Sequence, residues 1–334
     1  MAQTLVYVSC AKSREIDVFS LDPEAGDVQL RQRLATPGAP QPLRFSADRR
    51  ILYVGAKSEN SLLALAVAPD NGELTLLGST PAADDPTYVS SDQSGRVAFC
   101  ASYNGNCLDV FPLAANGLPG LASQHESGLP RAHACLMDAS NRWLLVTMLG
   151  EDAIRVYRLG DDGLLTSNDP PMVKVRDGAG PRHLVFSPDN RQVFCLNELD
   201  CSIDSFDFTA ESGQLILRHS ANALPPDFSG KPWAAELRMT LDGRFLYASE
   251  RTASVIAAFA IEDGGRLRLV GHFPTETQPR GMDIDPSGRW LIAVGQLSGS
   301  LTVHALDPGT GELTVHGCHA TGQNPICVEI LALS

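Results

Sequence analysis

The sequence predicts an all-β fold, a seven-bladed β-propeller formed as a single domain over 1–334. Three observations predict it. A unit of about 48 residues recurs along the chain, each copy reads as four short strands, and no amphipathic helical period is visible. Six copies are marked by a turn of Asp, Asn, Ser or Gly, then an arginine, then an apolar run. The arginines are Arg50, Arg96, Arg142, Arg191, Arg244 and Arg289, at spacings of 46, 46, 49, 53 and 45.

A seventh copy lacks its turn: Thr4-Leu5-Val6-Tyr7-Val8-Ser9 matches Arg244-Phe245-Leu246-Tyr247-Ala248-Ser249, which puts Thr4 in the arginine slot. In the unit around Arg191 the four strands are expected over Leu184–Ser187, Gln192–Leu196, Ser202–Phe208 and Gln214–Ser220. Between them lie Asp, Asn, Ser and Gly, which supply the positive-φ or side-chain-bonded positions of tight turns. A period of this length with four antiparallel strands per unit is a propeller blade. The Gly-His and Trp-Asp marks of the Trp-Asp-repeat propellers are absent. The N-terminal copy begins at its second strand, and Asn324–Leu331 reads as a spare first strand. Placed in one blade, the two termini close the ring and leave no open edge.

Composition narrows the function. Against 39 Asp and Glu stand 26 Lys and Arg, a net charge of −13, so nucleic acid is not an expected partner. No run reaches the ~18–20 apolar residues of a membrane span. Met1–Tyr7 reads straight into a strand without a basic or apolar leader, and is expected not to be a signal peptide. The eight cysteines include no Cys-x-x-Cys and read as free thiols in a reducing compartment, so a cytoplasmic location is expected. His316-Gly317-Cys318-His319 lacks a second ligand pair at zinc spacing and reads as edge-strand residues. No metal, cofactor or obligatory protein partner is expected. Gly178–His183 begins like a dinucleotide fingerprint but has no third glycine and no βαβ context.

In a repeat, shared residues build the scaffold, and function is sought where copies differ. Nine residues before the arginine the copies carry Gln41, Thr87, His133, Arg182, Ala235 and Arg280. Seven residues after it they carry Ala11, Lys57, Tyr103, Leu149, Glu198, Arg251 and Gln296. The first strand descends to the turn and the second returns, so both slots lie on one face, around the mouth of the central channel. His133, Arg182, Glu198, Arg251 and Arg280 are therefore expected to converge. Three arginines suit a phosphate or carboxylate, while a carboxylate and an imidazole supply a base and a proton donor or oxyanion partner. His183 points either inward or into the blade core. The turn arginines read as scaffold on the opposite face.

At these residues the chain resembles the lactonase-type seven-bladed propellers, end to end. The resemblance is carried most specifically by Ser102–Asn106, Gly180–Phe186, Leu196–Leu199, Gly243–Ser254 and Pro274–Gly281. It implies hydrolysis of 6-phospho-D-glucono-1,5-lactone to 6-phosphogluconate, a step of the oxidative pentose phosphate pathway, on a small anionic sugar lactone. A related fungal muconate lactonizing enzyme uses a His, two Arg and a Glu, and the similar positions here are His133, Arg182, Glu198 and Arg251. On that reading Glu198 deprotonates the attacking water, Arg182 or His133 meets the oxyanion, and His133 protonates the departing ring oxygen. Arg280 and Arg251 hold the phosphate with Gln278 and Lys57, and His183 and Gln296 complete the substrate site. Two alternatives stay open: a lactonase or cycloisomerase for a carboxylated lactone, and a non-catalytic interaction platform.

Overall fold

A computed structural model describes residues 3–333, so Met1 and Ala2 of the N-terminal stretch lie outside the described residues. The chain forms seven four-stranded antiparallel sheets. Their inner strands, Ala39–Phe45, Tyr88–Ser91, Ala132–Met137, Pro181–Phe186, Ala234–Met239, Pro279–Ile284 and Pro325–Ala332, each touch the next and return to the first. That closed ring of contacts makes the sheets blades about one axis. Closure is as expected: Pro325–Ala332 pairs with Thr4–Cys10, from Thr4 opposite Ala332 to Cys10 opposite Pro325, and becomes the inner strand of blade 1. Among the described residues the only helical turn is Asp263–Gly265.

The expected strands of the unit around Arg191, now blade 5, are found at Pro181–Phe186, Gln192–Asn197, Ser202–Thr209 and Gln214–Asn222. The first starts three residues earlier than expected because its upper end is bulged. Pro181 pairs with Asn197 and His183 with Leu196, which leaves Arg182 as the extra residue. The inner strands of blades 2, 4, 6 and 7 carry register shifts at the equivalent place. Bulges of this kind re-aim side chains. Here they turn the slot residues and their successors toward the axis.

Each blade buries its second and third strands on both faces, because a neighbouring blade covers each side. The apolar cores therefore lie between blades. Val6, Val8, Phe19 and Val328 of blade 1 pack with Trp290, Ile292, Leu301 and Val303 of blade 7, so the closing strand shares a core with the last blade. Polar straps cross the same boundaries on the turn face. Tyr7, Tyr53 and Tyr247 donate to Gly72, Gly117 and Gly311 carbonyls of the next blade, and the Trp143 and Trp290 indoles donate to Ala210 and Pro23. Arg96, Arg142 and Arg244 reach Asp161, Ala210 and Pro308 of the following blade, and Arg289 pairs with Glu24. The turn arginines are thus scaffold, away from the mouth. His316 and Cys318 lie in the outer strand Leu313–Ala320, as expected.

Candidate active site at the propeller mouth

Two devices hold the slot residues. The bulge frees inner-strand backbone groups, and a hydroxyl from the second strand satisfies them. Thr147 Oγ1 accepts from Ala134 N at 2.8 Å and donates to Arg182 O at 2.8 Å, so blade 4 fixes the backbone of the blade 5 arginine. Where inner strands converge there is no room for side chains on every residue. A Cβ on Gly281 would lie 2.6 Å from Ile326 O, so glycine follows Arg280 where blade 7 meets the closing strand.

At the mouth, Glu198 is held by two guanidinium groups through one oxygen. Arg182 Nε donates to Glu198 Oε2 at 2.8 Å, and Arg251 Nη2 lies 3.0 Å from the same atom. Arg182 also donates to Ala235 O, and Arg251 donates to Trp233 O at 3.1 Å and Ala234 O at 2.8 Å. The other carboxylate oxygen, Oε1, accepts from no group among the described residues, and the side chain keeps 13% of its surface in solvent. Burial works against the Glu198 charge, but the two arginines outweigh it and hold its carboxyl below the usual range. It is ionised at neutral pH with one oxygen free.

Arg280 lies close enough to Arg182 and Glu198 to feel both charges, and burial with Arg182 pulls its pKa down to about 10. Unlike its two neighbours it makes no ion pair among the described residues. Burial and the crowding of Arg182 bring Arg251 down to about 9. His133 is buried below this group, and its Nδ1 has no hydrogen-bond partner. Burial first, then Arg182, His183, Arg280 and Arg251, hold it well below the ordinary histidine range. These surroundings hold the imidazole neutral. The five slot residues named together in the sequence thus stand in one electrostatic cluster on one face.

His183 resolves its two alternatives inward. It lines the narrow axial cavity with His133, Arg182, Arg280 and Tyr88, 5.1 Å from the His133 ring. Its Nδ1 meets Glu236 Oε1 at 2.6 Å. Burial, opposed by Glu236 and reinforced by Arg182, lowers it to about 4, so the neutral ring donates to an ionised carboxylate held near 2. The cavity measures about 40 Å3, room for a water or two but not a sugar. Gln278 and Gln296 lie at the upper edge of blade 7, where Gln296 Nε2 donates to Asn324 Oδ1 at 3.2 Å; neither lines the cavity. Lys57 is engaged by Asp85 at 3.4 Å and is not a free cation for a phosphate.

Sequence reading missed the charged layers below the mouth. Glu236, Arg238, Asp283, Glu329 and Arg44 form a continuous ion-pair chain along the axis, with Arg238 Nη1 2.9 Å from Glu236 and Nη2 3.6 Å from Glu329. These residues fall one and three places after the first slot, and scanning those columns of the repeat finds them. Trp233 was also missed: it stands two residues before the first slot, in the column that holds Arg131, Gly180 and Gln278 in other blades.

With this geometry in place, the comparisons with known proteins are specific. Residues 5–330 match the family described as lactonase, seven-bladed β-propeller. The chain belongs to the lactonase seven-bladed β-propeller family. Within it, the 6-phosphogluconolactonase of Klebsiella pneumoniae is 41% identical over 333 residues, covering 99% of this chain and all of the relative. That of Serratia proteamaculans is 40% identical over 329 residues, covering 98% and 99%. Among solved structures, the periplasmic gluconolactonase of Pseudomonas aeruginosa superposes with a TM-score of 0.93 at 28% identity, over the whole of both chains.

Proposed function

We propose that the chain is a 6-phosphogluconolactonase, which hydrolyses 6-phospho-D-glucono-1,5-lactone to 6-phosphogluconate, in the oxidative pentose phosphate pathway. Full-length relatives near 40% identity carry that name. The observation that carries the reading at the site is Arg280: an unpaired guanidinium beside a carboxylate whose own charge is already met by Arg182 and Arg251. Three cations against one anion leave a positive mouth on an acidic protein, suited to a phosphate dianion.

The phosphate docks on Arg280, flanked by Gln278 and Gln296 of the same blade, and the lactone carbonyl lies toward Glu198. Glu198 Oε1 takes a proton from water as the water oxygen bonds to C1. Arg182, Arg251 and the neutral His133 ring meet the oxyanion, and His183 supports His133 from below. The C1–ring-oxygen bond then breaks, and protonated Glu198 returns its proton to the ring oxygen. Its depressed pKa makes it a modest base and a ready acid, which suits a strained ester whose leaving group must be protonated. The new carboxyl group loses its remaining proton to solvent. A general base contributes roughly 10²–10⁴ and an oxyanion donor roughly 10²–10³ to the rate.

The test is hydrolysis of the phosphorylated and unphosphorylated gluconolactones side by side, where a preference for the phosphorylated lactone that disappears in Arg280→Ala supports the reading. Equal turnover of both, unchanged in that variant, sinks the phosphate assignment. We also place the protein in the cytoplasm, since its eight cysteines are free thiols that suit a reducing compartment. Recovery of the native protein in a periplasmic fraction would contradict this.

A further inference from the structure

Blade 5 reaches blade 6 through the connection 223–233, the longest between any two blades and the source of the 53-residue spacing between Arg191 and Arg244. The connection ends on Trp233, which is fixed at both backbone groups. Its N–H donates to the buried Glu250 carboxylate at 2.8 Å, and its carbonyl accepts from Arg251 N and Arg251 Nε, each at 3.1 Å. The next residue, Ala234, donates its N–H to Glu198 O at 3.1 Å. The Trp233 backbone is therefore tied to Arg251 directly and to Glu198 through Ala234.

Its side chain is treated differently from the other tryptophans. Trp143 and Trp290 are 6% and 8% exposed, on the turn face, with their indole N–H groups bonded to the next blade. Trp233 is 37% exposed, and the Arg251 guanidinium lies 3.8 Å from its ring centroid. One face is covered by the cation, and more than a third of the residue stays open to solvent. A backbone-anchored, partly exposed aromatic beside Glu198 and Arg251 suits the apolar C–H face of a six-membered ring.

We propose that Trp233 is a stacking platform for the lactone ring, which sets specificity for a cyclic six-membered substrate and orients C1 toward Glu198. The proposal rests on the reading of the mouth as a phosphogluconolactone site. The test compares wild type, Trp233→Leu and Trp233→Phe on 6-phospho-D-glucono-1,5-lactone across pH. A platform predicts that Trp233→Leu raises KM about three- to tenfold, the fold-change of an aromatic contact of ordinary strength, with kcat within about twofold. Trp233→Phe should restore KM, and the acid limb of the rate profile should stay where wild type has it. An unchanged KM in Trp233→Leu overturns the platform alone. A lowered kcat with a displaced acid limb also overturns it, because Trp233 then acts only through Arg251 and Glu198. Wild-type protein inactive on this lactone overturns the functional reading and the platform with it.

Discussion

Replacing Glu198 by Gln tests the core of the argument, because it removes a charge and a base while keeping the shape. The carboxylate meets Arg182 at 2.8 Å and Arg251 at 3.0 Å, and both arginines are almost fully buried. At an effective dielectric of ~20, each contact contributes roughly 5–6 kcal/mol of attraction before desolvation is counted. Removing one partner of such a buried group costs about 3–5 kcal/mol, an upper figure here because the amide oxygen still accepts a hydrogen bond. For a chain of this size that lowers Tm by roughly 4–7 °C, well short of unfolding at assay temperature. Catalysis should suffer more, with kcat falling about 10²–10⁴-fold as the base is lost. KM should stay close to wild type, since the phosphate rests on Arg280. Steady-state kinetics beside a melting curve separates the two effects. Glu198→Gln with kcat within tenfold of wild type and the expected Tm loss would refute Glu198 as the base.

Arg280→Ala should raise KM for the phosphorylated lactone about 10–100-fold and leave kcat nearly intact, which initial rates over a wide substrate range will show. Activity should persist into acid: the ionised Glu198 is the working form and its pKa is depressed, so the rate is lost only as pH falls through a value below the ordinary carboxylate range. Stability should begin to decline at a higher pH than the rate does. His183 and His304 bind protons near 6.5 when unfolded but only near 4 when folded, and His133 is likewise held well below the ordinary histidine range, so the unfolded state holds more protons as pH falls below 6.5. Their contribution is therefore complete above about pH 6.5 and is lost as pH falls toward 4, at up to about 4 kcal/mol per pH unit for three histidines, measurable by urea titration. Arg289→Ala breaks an exposed pair with Glu24 and should cost less than about 1 kcal/mol by the same assay.

The repeat made the fold legible, because every blade solves the same packing problem with the same turn, arginine and apolar strand. It also made part of the site legible: His133, Arg182, Glu198, Arg251 and Arg280 stand out only because other copies put Gln41, Ala235 or Ala11 in the same slots. His183 could not be assigned a direction, since direction depends on the bulge between Pro181 and His183, and a bulge is a matter of register with a partner strand. Trp233 has counterparts in Arg131, Gly180 and Gln278, but that its ring stacks on Arg251 follows only from the packing.

By itself, then, the sequence determined the number of blades, how the termini join them, and which slots carry charge. Only the tertiary structure decided what those charges do. Whether Glu198 is a free base or an arginine-bound one, whether His133 is charged, and whether Lys57 or Arg280 is left for an anion all follow from distances of a few ångströms between different blades. Electrostatic energies and desolvation vary steeply over such distances, and spacing along a chain carries no record of them.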